Sequence, residues 1–155
     1  MLENAPGYLF SVSAVAMFAI GLLTMGLSLS GVSLGGVTFG GYTMIAGSLF
    51  TIASYQLGSL AIFSAVAADP IRKPDNPLTT WVLDHFQLEH GSTLGLAVFG
   101  AGAVHTSYLV YTWIASGFTV LPVVATNLVV FTAFVLGLQT VFYSFFLSII
   151  ADNTA

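Results

Sequence analysis

Side chains able to do chemistry are few in this sequence, and they fall into two groups. The first is a polar stretch from Asp69 to His90 that holds both basic residues of the chain, Arg72 and Lys73. Asp69, Asp75, Asp84 and Glu89 lie in it too, as do two of the three histidines, His85 and His90. Arg72 and Lys73 can meet a phosphate group as charge-assisted donors. They serve equally as anchors of a loop at the headgroups, a role that needs no ligand. Asp84, His85, Glu89 and His90 carry atoms that bind cations. His85 and His90 share a helix face poorly at their spacing, however, and a solvated charged face is the favoured reading. No metal site and no cofactor is assigned.

The second group lies inside apolar sequence. Gln56, His105 and Gln139 each sit deep in a long hydrophobic run, with Tyr55, Thr106 and Tyr143 beside them. Counted from the span ends nearest the polar stretch, all three lie at a depth of ~20 Å at 1.5 Å per residue. They are therefore expected to form one intramembrane polar layer and to face one another rather than lipid. A proton or solute path through that layer is one use for it. Interhelical glue is the favoured use, because the spans hold no carboxylate of the kind that marks ion pathways.

Other chemistries are excluded by what is missing. There is no Cys, so neither a disulfide nor a thiolate nucleophile is available. With two basic residues and a net charge of −4, the chain has no electrostatic footprint for nucleic acid. No nucleophile elbow, phosphate-cradling glycine loop or HExxH helix occurs. Only 5% of the residues are charged and 57% are hydrophobic, which cannot cover a water-facing surface. A soluble domain carries about 25% charged residues. The solvent is lipid.

The elements that must position these residues follow from the apolar runs. Four spans are predicted, Tyr8–Ser30, Met44–Ala68, Ser92–Ile114 and Ala125–Ala151, each long enough for a bilayer core of ~30 Å. Continuous runs favour helices over a barrel, whose strands alternate. The N-terminal stretch lacks the basic region of a secretory signal, so the first span is expected to be retained. Gly31 to Thr43 reads as a tight hairpin-like loop. The prolines Pro70, Pro74 and Pro77 keep the start of the polar stretch irregular, and Thr80 to His90 is expected to form a short interfacial helix. The fold class is thus an all-α membrane protein. It has one four-helix domain, built from a hairpin over 8–68, a loop over 69–91 and a hairpin over 92–151. The positive-inside rule puts Arg72 and Lys73, and with four spans both termini, in the cytoplasm of a cell-membrane protein.

The halves also align with each other. YQLGSLAIFSAVAAD ends the second span and LQTVFYSFFLSIIAD the fourth, with Gln56 falling on Gln139, Phe63 on Phe146 and Asp69 on Asp152. AMFAIG at Ala16–Gly21 and AVFGAG at Ala97–Gly102 match more faintly. Such hairpins form a parallel internal repeat about an axis along the membrane normal.

FVLGLQTVFYSFFLSIIAD, Phe134 to Asp152, resembles the last membrane span of family 2 glycosyltransferases of the polyprenyl-phosphate type, those like dolichol-phosphate mannose synthase. FQLEHGSTLGLAVFGAG, Phe86 to Gly102, is similar to the opening of their third span. Val37 to Phe63 looks like the preceding hairpin return and second span, and Ala5-Pro6 with Tyr8-Leu9 like the exit from their catalytic domain. The likeness runs in order over nearly the whole chain. The membrane part carries over through Leu88-Glu89 with Gly91, and through Gly137, Gln139, Ser144 and Ser148. The resemblance implies a cytoplasmic α/β domain that moves sugar from a nucleotide to a lipid phosphate, with a divalent metal at an Asp-x-Asp motif. No Asp-x-Asp occurs here, so no catalytic residue carries over. The expectation is a membrane anchor or accessory module, non-catalytic by itself, whose partners are the bilayer, a polyprenyl-phosphate lipid and a cytoplasmic glycosyltransferase domain. Arg72 and Lys73 would lie at the lipid phosphate. The alternative is a small transporter, flippase subunit or channel that uses Gln56, His105 and Gln139.

Overall fold

A computed structural model describes residues 5–68, 88–119 and 124–152. Among the described residues there are four long helices: α1 (Ala5–Ser30), α2 (Gly41–Ala68), α3 (Leu88–Ala115) and α4 (Val124–Asp152). All four are long and apolar enough to cross a membrane, over Phe10–Ser30, Gly41–Ser64, Gly91–Ala115 and Ala125–Ile150. Residues 80–87 of the expected interfacial helix lie outside the described residues, and residues 88–90 already belong to α3.

The helices persist in hydrocarbon because their hydroxyl groups are satisfied at home. Thr24, Thr51, Ser54, Ser59, Thr106, Thr132, Thr140 and Ser144 each donate to a carbonyl three or four residues earlier. No hydroxyl proton among them needs water, which the bilayer core does not supply.

Turn chemistry sets the first connection. Gly31 ends α1 at φ 64°. A two-stranded ribbon follows, β1 (Ser33–Leu34) and β2 (Val37–Thr38), pairing Ser33 with Thr38 and Leu34 with Val37. Its loop is Gly35-Gly36, both at positive φ, the conformation that a two-residue type I′ turn requires. Ser28 then donates to the Gly40 carbonyl at 3.0 Å, tying the end of α1 to the start of α2. Tyr42, 92% exposed at the head of α2, sits where an aromatic ring anchors in the interface.

The end of α3 is a Schellman cap. Gly117, at φ 68°, donates its N–H to the Ile114 carbonyl, and the Phe118 N–H reaches back to Trp113. The hydrophobic contact that accompanies this motif is present, with the Trp113 and Phe118 rings edge to face at 4.9 Å.

Contact register gives the packing. Between α1 and α2 the contacts run from Ala14–Gly58 through Gly21–Thr51 to Ser28–Gly40, so these helices are antiparallel. Between α3 and α4 they run from Gly95–Gly137 through Gly102–Phe134 to His105–Asn127, again antiparallel. Between α2 and α4 they run Ser48–Thr132, Tyr55–Thr140 and Phe63–Phe146, so these two are parallel neighbours. The close approach recurs in both halves at aligned positions: Gly21 meets Thr51 as Gly102 meets Phe134. The alignment that sets Gln56 on Gln139 also sets Thr51 on Phe134.

Glycine is what lets the backbones meet. A Cβ on Gly137 would stand 2.6 Å from the Phe99 amide nitrogen, closer than any side-chain adjustment relieves. One on Gly100 would meet nothing within 4 Å. Gly137→Ala should therefore destabilise the protein in mixed micelles by ~1–3 kcal/mol. Gly100→Ala should be neutral or gain up to ~1 kcal/mol of helix propensity. Equal unfolding midpoints for the two variants would contradict the close α3–α4 contact.

Candidate functional site

The α2–α4 seam carries two interhelical hydroxyl pairs. Ser48 and Thr132 are 2.7 Å apart, and Tyr55 and Thr140 are 2.6 Å apart. Thr132 and Thr140 already give their protons to Leu128 and Leu136. A hydroxyl has one proton, so both threonines accept and Ser48 and Tyr55 donate. An aromatic ladder continues the seam toward the end of the bundle from which residues 69–87 depart. Tyr143 stacks on Tyr55 at 5.8 Å and meets Phe63 edge-on at 5.3 Å, and Phe63 meets Phe146 at 5.0 Å.

Beside this seam, under α1, lies a cavity of about 390 Å³. It falls within the ~300–1,000 Å³ of typical ligand sites. Ala14, Val15 and Phe18 of α1 form one wall, residues from Ser54 to Phe63 of α2 a second, and residues from Thr140 to Leu147 of α4 a third. Gly91, near the start of α3, closes it at the end where the polar segment 69–87 joins α2 to α3. Six hydroxyl-bearing residues line it, yet Ser54, Ser59, Thr140 and Ser144 are turned to backbone carbonyls and Tyr55 to Thr140. The sixth, Tyr143, makes ring contacts and no hydrogen bond among the described residues, so the cavity offers an apolar surface with a single phenol among its hydroxyls left unbonded. It fits a hydrocarbon chain better than a hydrated solute.

The polar residues singled out in the sequence are distributed as follows. Arg72, Lys73, Asp84 and His85 lie outside the described residues. Gln56 and Gln139 reach one level of the seam, since Gln56 follows Tyr55, Gln139 precedes Thr140, and Tyr55 bonds Thr140. They do not bond each other. Gln56 is exposed on the outer surface of α2, and the Oε1 of Gln139 is buried with no partner. His105 sits elsewhere. Its Nε2 lies 3.4 Å from Oδ1 of Asn127, which precedes Gln139 on α4 by about 18 Å of helix. The close contacts of Gly95 and Gly102 with α4 fix this register, which span-end counting does not capture.

Asn127, Ser48, Thr132 and Thr140 were not singled out in the sequence. The signal was there, because Ser48 and Tyr55, and likewise Thr132 and Thr140, are two turns apart and share a helix face.

With this geometry in hand, comparison with known proteins is informative. The C-terminal transmembrane region of family 2 glycosyltransferases matches residues 61–151. The chain is 43% identical over 152 residues to the low-salt glycan biosynthesis hexosyltransferase Agl6 of Haloferax volcanii. That alignment covers 98% of this chain but 37% of the relative, so the chain spans little more than a third of the relative's length. No solved structure matches.

The Tyr55–Thr140 pair gives a measurable coupling. Tyr55→Phe and Thr140→Val each remove the interhelical bond, and neither leaves the other residue's backbone bonds broken. A double-mutant cycle on unfolding in mixed micelles should return ~0.6–2 kcal/mol. Strict additivity of the two substitutions would show that the seam is not bonded there.

Proposed function

Because the chain belongs to the family of C-terminal transmembrane regions of family 2 glycosyltransferases, we propose that it is the membrane module of a lipid-linked glycosyltransferase system. In this reading it is non-catalytic on its own. It anchors a glycosyltransferase catalytic domain at the membrane and holds the polyprenyl-phosphate lipid on which that domain acts. The likeness to the Haloferax relative, a hexosyltransferase of glycan biosynthesis, supports a sugar-transfer setting. The absence of any Asp-x-Asp pair in the 155 residues supports a non-catalytic role for this stretch.

The observation that carries the reading is the position of the cavity. It is apolar, lies within the spans, and occupies the half of the bundle in which α2 ends and the next helix begins, the two points between which the chain's only two basic residues fall in sequence. A polyprenyl chain seated against Tyr55, Gly58, Tyr143 and Leu147 places its phosphate toward that end. Arg72 and Lys73 are the cationic donors within the segment that departs there. The positive-inside rule makes this the cytoplasmic face, with both termini on the same side. No observation favours a transport path. His105 is paired with Asn127 well away from Gln139, and Gln56 faces outward.

Photo-cross-linking tests the proposal. A photoreactive polyprenyl phosphate added to native membranes should label the intact protein within residues 54–63 and 140–147. Excess polyprenyl phosphate should compete, and the uncharged polyprenol of the same length should compete poorly. Replacing Arg72 and Lys73 with Ala together should lower capture about ten- to thirtyfold, as two membrane-surface charges at ~1 kcal/mol each require. Label spread around the outside of all four helices and insensitive to competitor would overturn the reading.

A further inference from the structure

Gln56 has no place in the cavity or the hydroxyl pairs, and its position calls for an explanation. It lies on the side of α2 opposite Gly47, Thr51 and Gly58, the positions that meet α1. It is exposed, in a shallow groove with Leu60 and Phe63 of α2 and Phe142 and Phe146 of α4. No hydrogen bond joins its amide to any described residue. About 18 Å of helix separate it from the Ala68 end of α2 and about 22 Å from the Gly41 end. Side chains lean toward the N-terminus of their helix, so this one leans toward the bilayer middle and away from the nearer surface. It cannot reach headgroups or water by snorkelling. Facing lipid, the amide leaves two donors and an acceptor unpaired in hydrocarbon.

We propose that this face of α2 is the seam of a homodimer, in which Gln56 of one copy bonds Gln56 of the other across a two-fold axis along the membrane normal. The occupant follows from the chemistry. Lipid chains offer no donor or acceptor. A carboxamide carries both, so two copies related by a two-fold satisfy each other reciprocally. One N–H then crosses the axis, and the second is free for the buried, unpartnered Oε1 of Gln139 at the same level of the seam.

The neighbouring residues have the matching pattern. Leu49, Ala53, Gln56, Leu60 and Phe63 follow one another at alternating spacings of four and three, the repeat of a parallel helix pair, with one polar residue among apolar ones. Leu49 and Leu60 are 61% and 51% exposed, so the stripe is uncovered on both sides of Gln56 in the single chain, while Ala53 is half-buried and Phe63 packs on Phe146. A polar residue at such a position fixes register and partner number in helix pairs.

Cysteine cross-linking in native membranes tests this directly, because the chain has no cysteine of its own. Under mild oxidation the intact protein carrying Leu60→Cys or Leu49→Cys should form a disulfide-linked dimer. Leu23→Cys on α1 and Val104→Cys on α3, both more exposed at 67% and 72%, should remain monomeric. Adding Gln56→Leu should weaken self-association about tenfold, as titrated by dilution in liposomes, while Gln56→Asn should retain most of it. An outward Leu in lipid does not threaten folding, and an unchanged helical circular dichroism spectrum confirms that the loss is one of association. Three results would overturn the proposal: equal cross-linking at all four sites, Gln56→Leu dimerising like the wild type, or Leu60→Cys capturing a different membrane protein instead of a second copy.

Discussion

In hydrocarbon no water is available to pair with a stray donor, so every donor where the two halves of this chain meet must find an acceptor within the protein. The α2–α4 seam does this. Thr132 and Thr140 spend their protons on their own backbone and remain acceptors, and Ser48 and Tyr55 supply the donors from across the seam. The bonds are short and few, each worth ~0.6–2 kcal/mol. Most of the remaining contact is close packing, which glycine makes possible by removing the Cβ where Gly137 meets Phe99 and where Gly21 meets Thr51. With no hydrophobic drive between helices in lipid, such contacts decide which helices are neighbours and at what register.

The cavity follows from that seam. α1 lies along α2 and touches α4 as well, so a space remains between the three where the side chains at Ala14 and Gly58 are smallest. The serine and threonine hydroxyls along its walls are turned inward to carbonyls for the same reason that the helices are stable. What is left to an occupant is apolar surface plus the Tyr55 and Tyr143 rings. The chain belongs to a glycosyltransferase membrane-region family, and the occupant proposed for this space is a hydrocarbon chain that carries a phosphate.

Much of the fold was legible in the sequence, because continuous apolar runs in a chain with so little charge leave few alternatives. The four spans lie where the runs lie. α1, α2 and α3 begin three or four residues before the positions expected for them, since Pro6 fits a first helical turn and α3 opens inside the polar stretch at Leu88. The glycine-rich return reads as a hairpin because Gly35-Gly36 supplies two consecutive positive-φ residues. What was not legible is vertical register. Depths counted from span ends put Gln56, His105 and Gln139 in one layer. The glycine contacts between α3 and α4 instead set His105 level with Asn127, far from Gln139. Which hydroxyls become interhelical was also hidden, since every Ser and Thr in these spans has a local carbonyl to bond. Only the packing shows that Ser48 and Tyr55 face acceptors on α4.

The claim on which the functional account rests is that the cavity under α1 seats the hydrocarbon chain of a polyprenyl phosphate. Gly58 lines it, and a Cβ there would meet only Ala14 at 3.7 Å, an ordinary contact, so a side chain can leave the backbone at this position without a clash at its first carbon, and Gly58→Leu is the substitution that fills the space. The decisive measurement is native mass spectrometry of the intact protein released from its own membranes. The account predicts a retained polyprenyl phosphate on the wild type, lost from Gly58→Leu while the unfolding midpoint holds. Equal retention of that lipid by both proteins would contradict it.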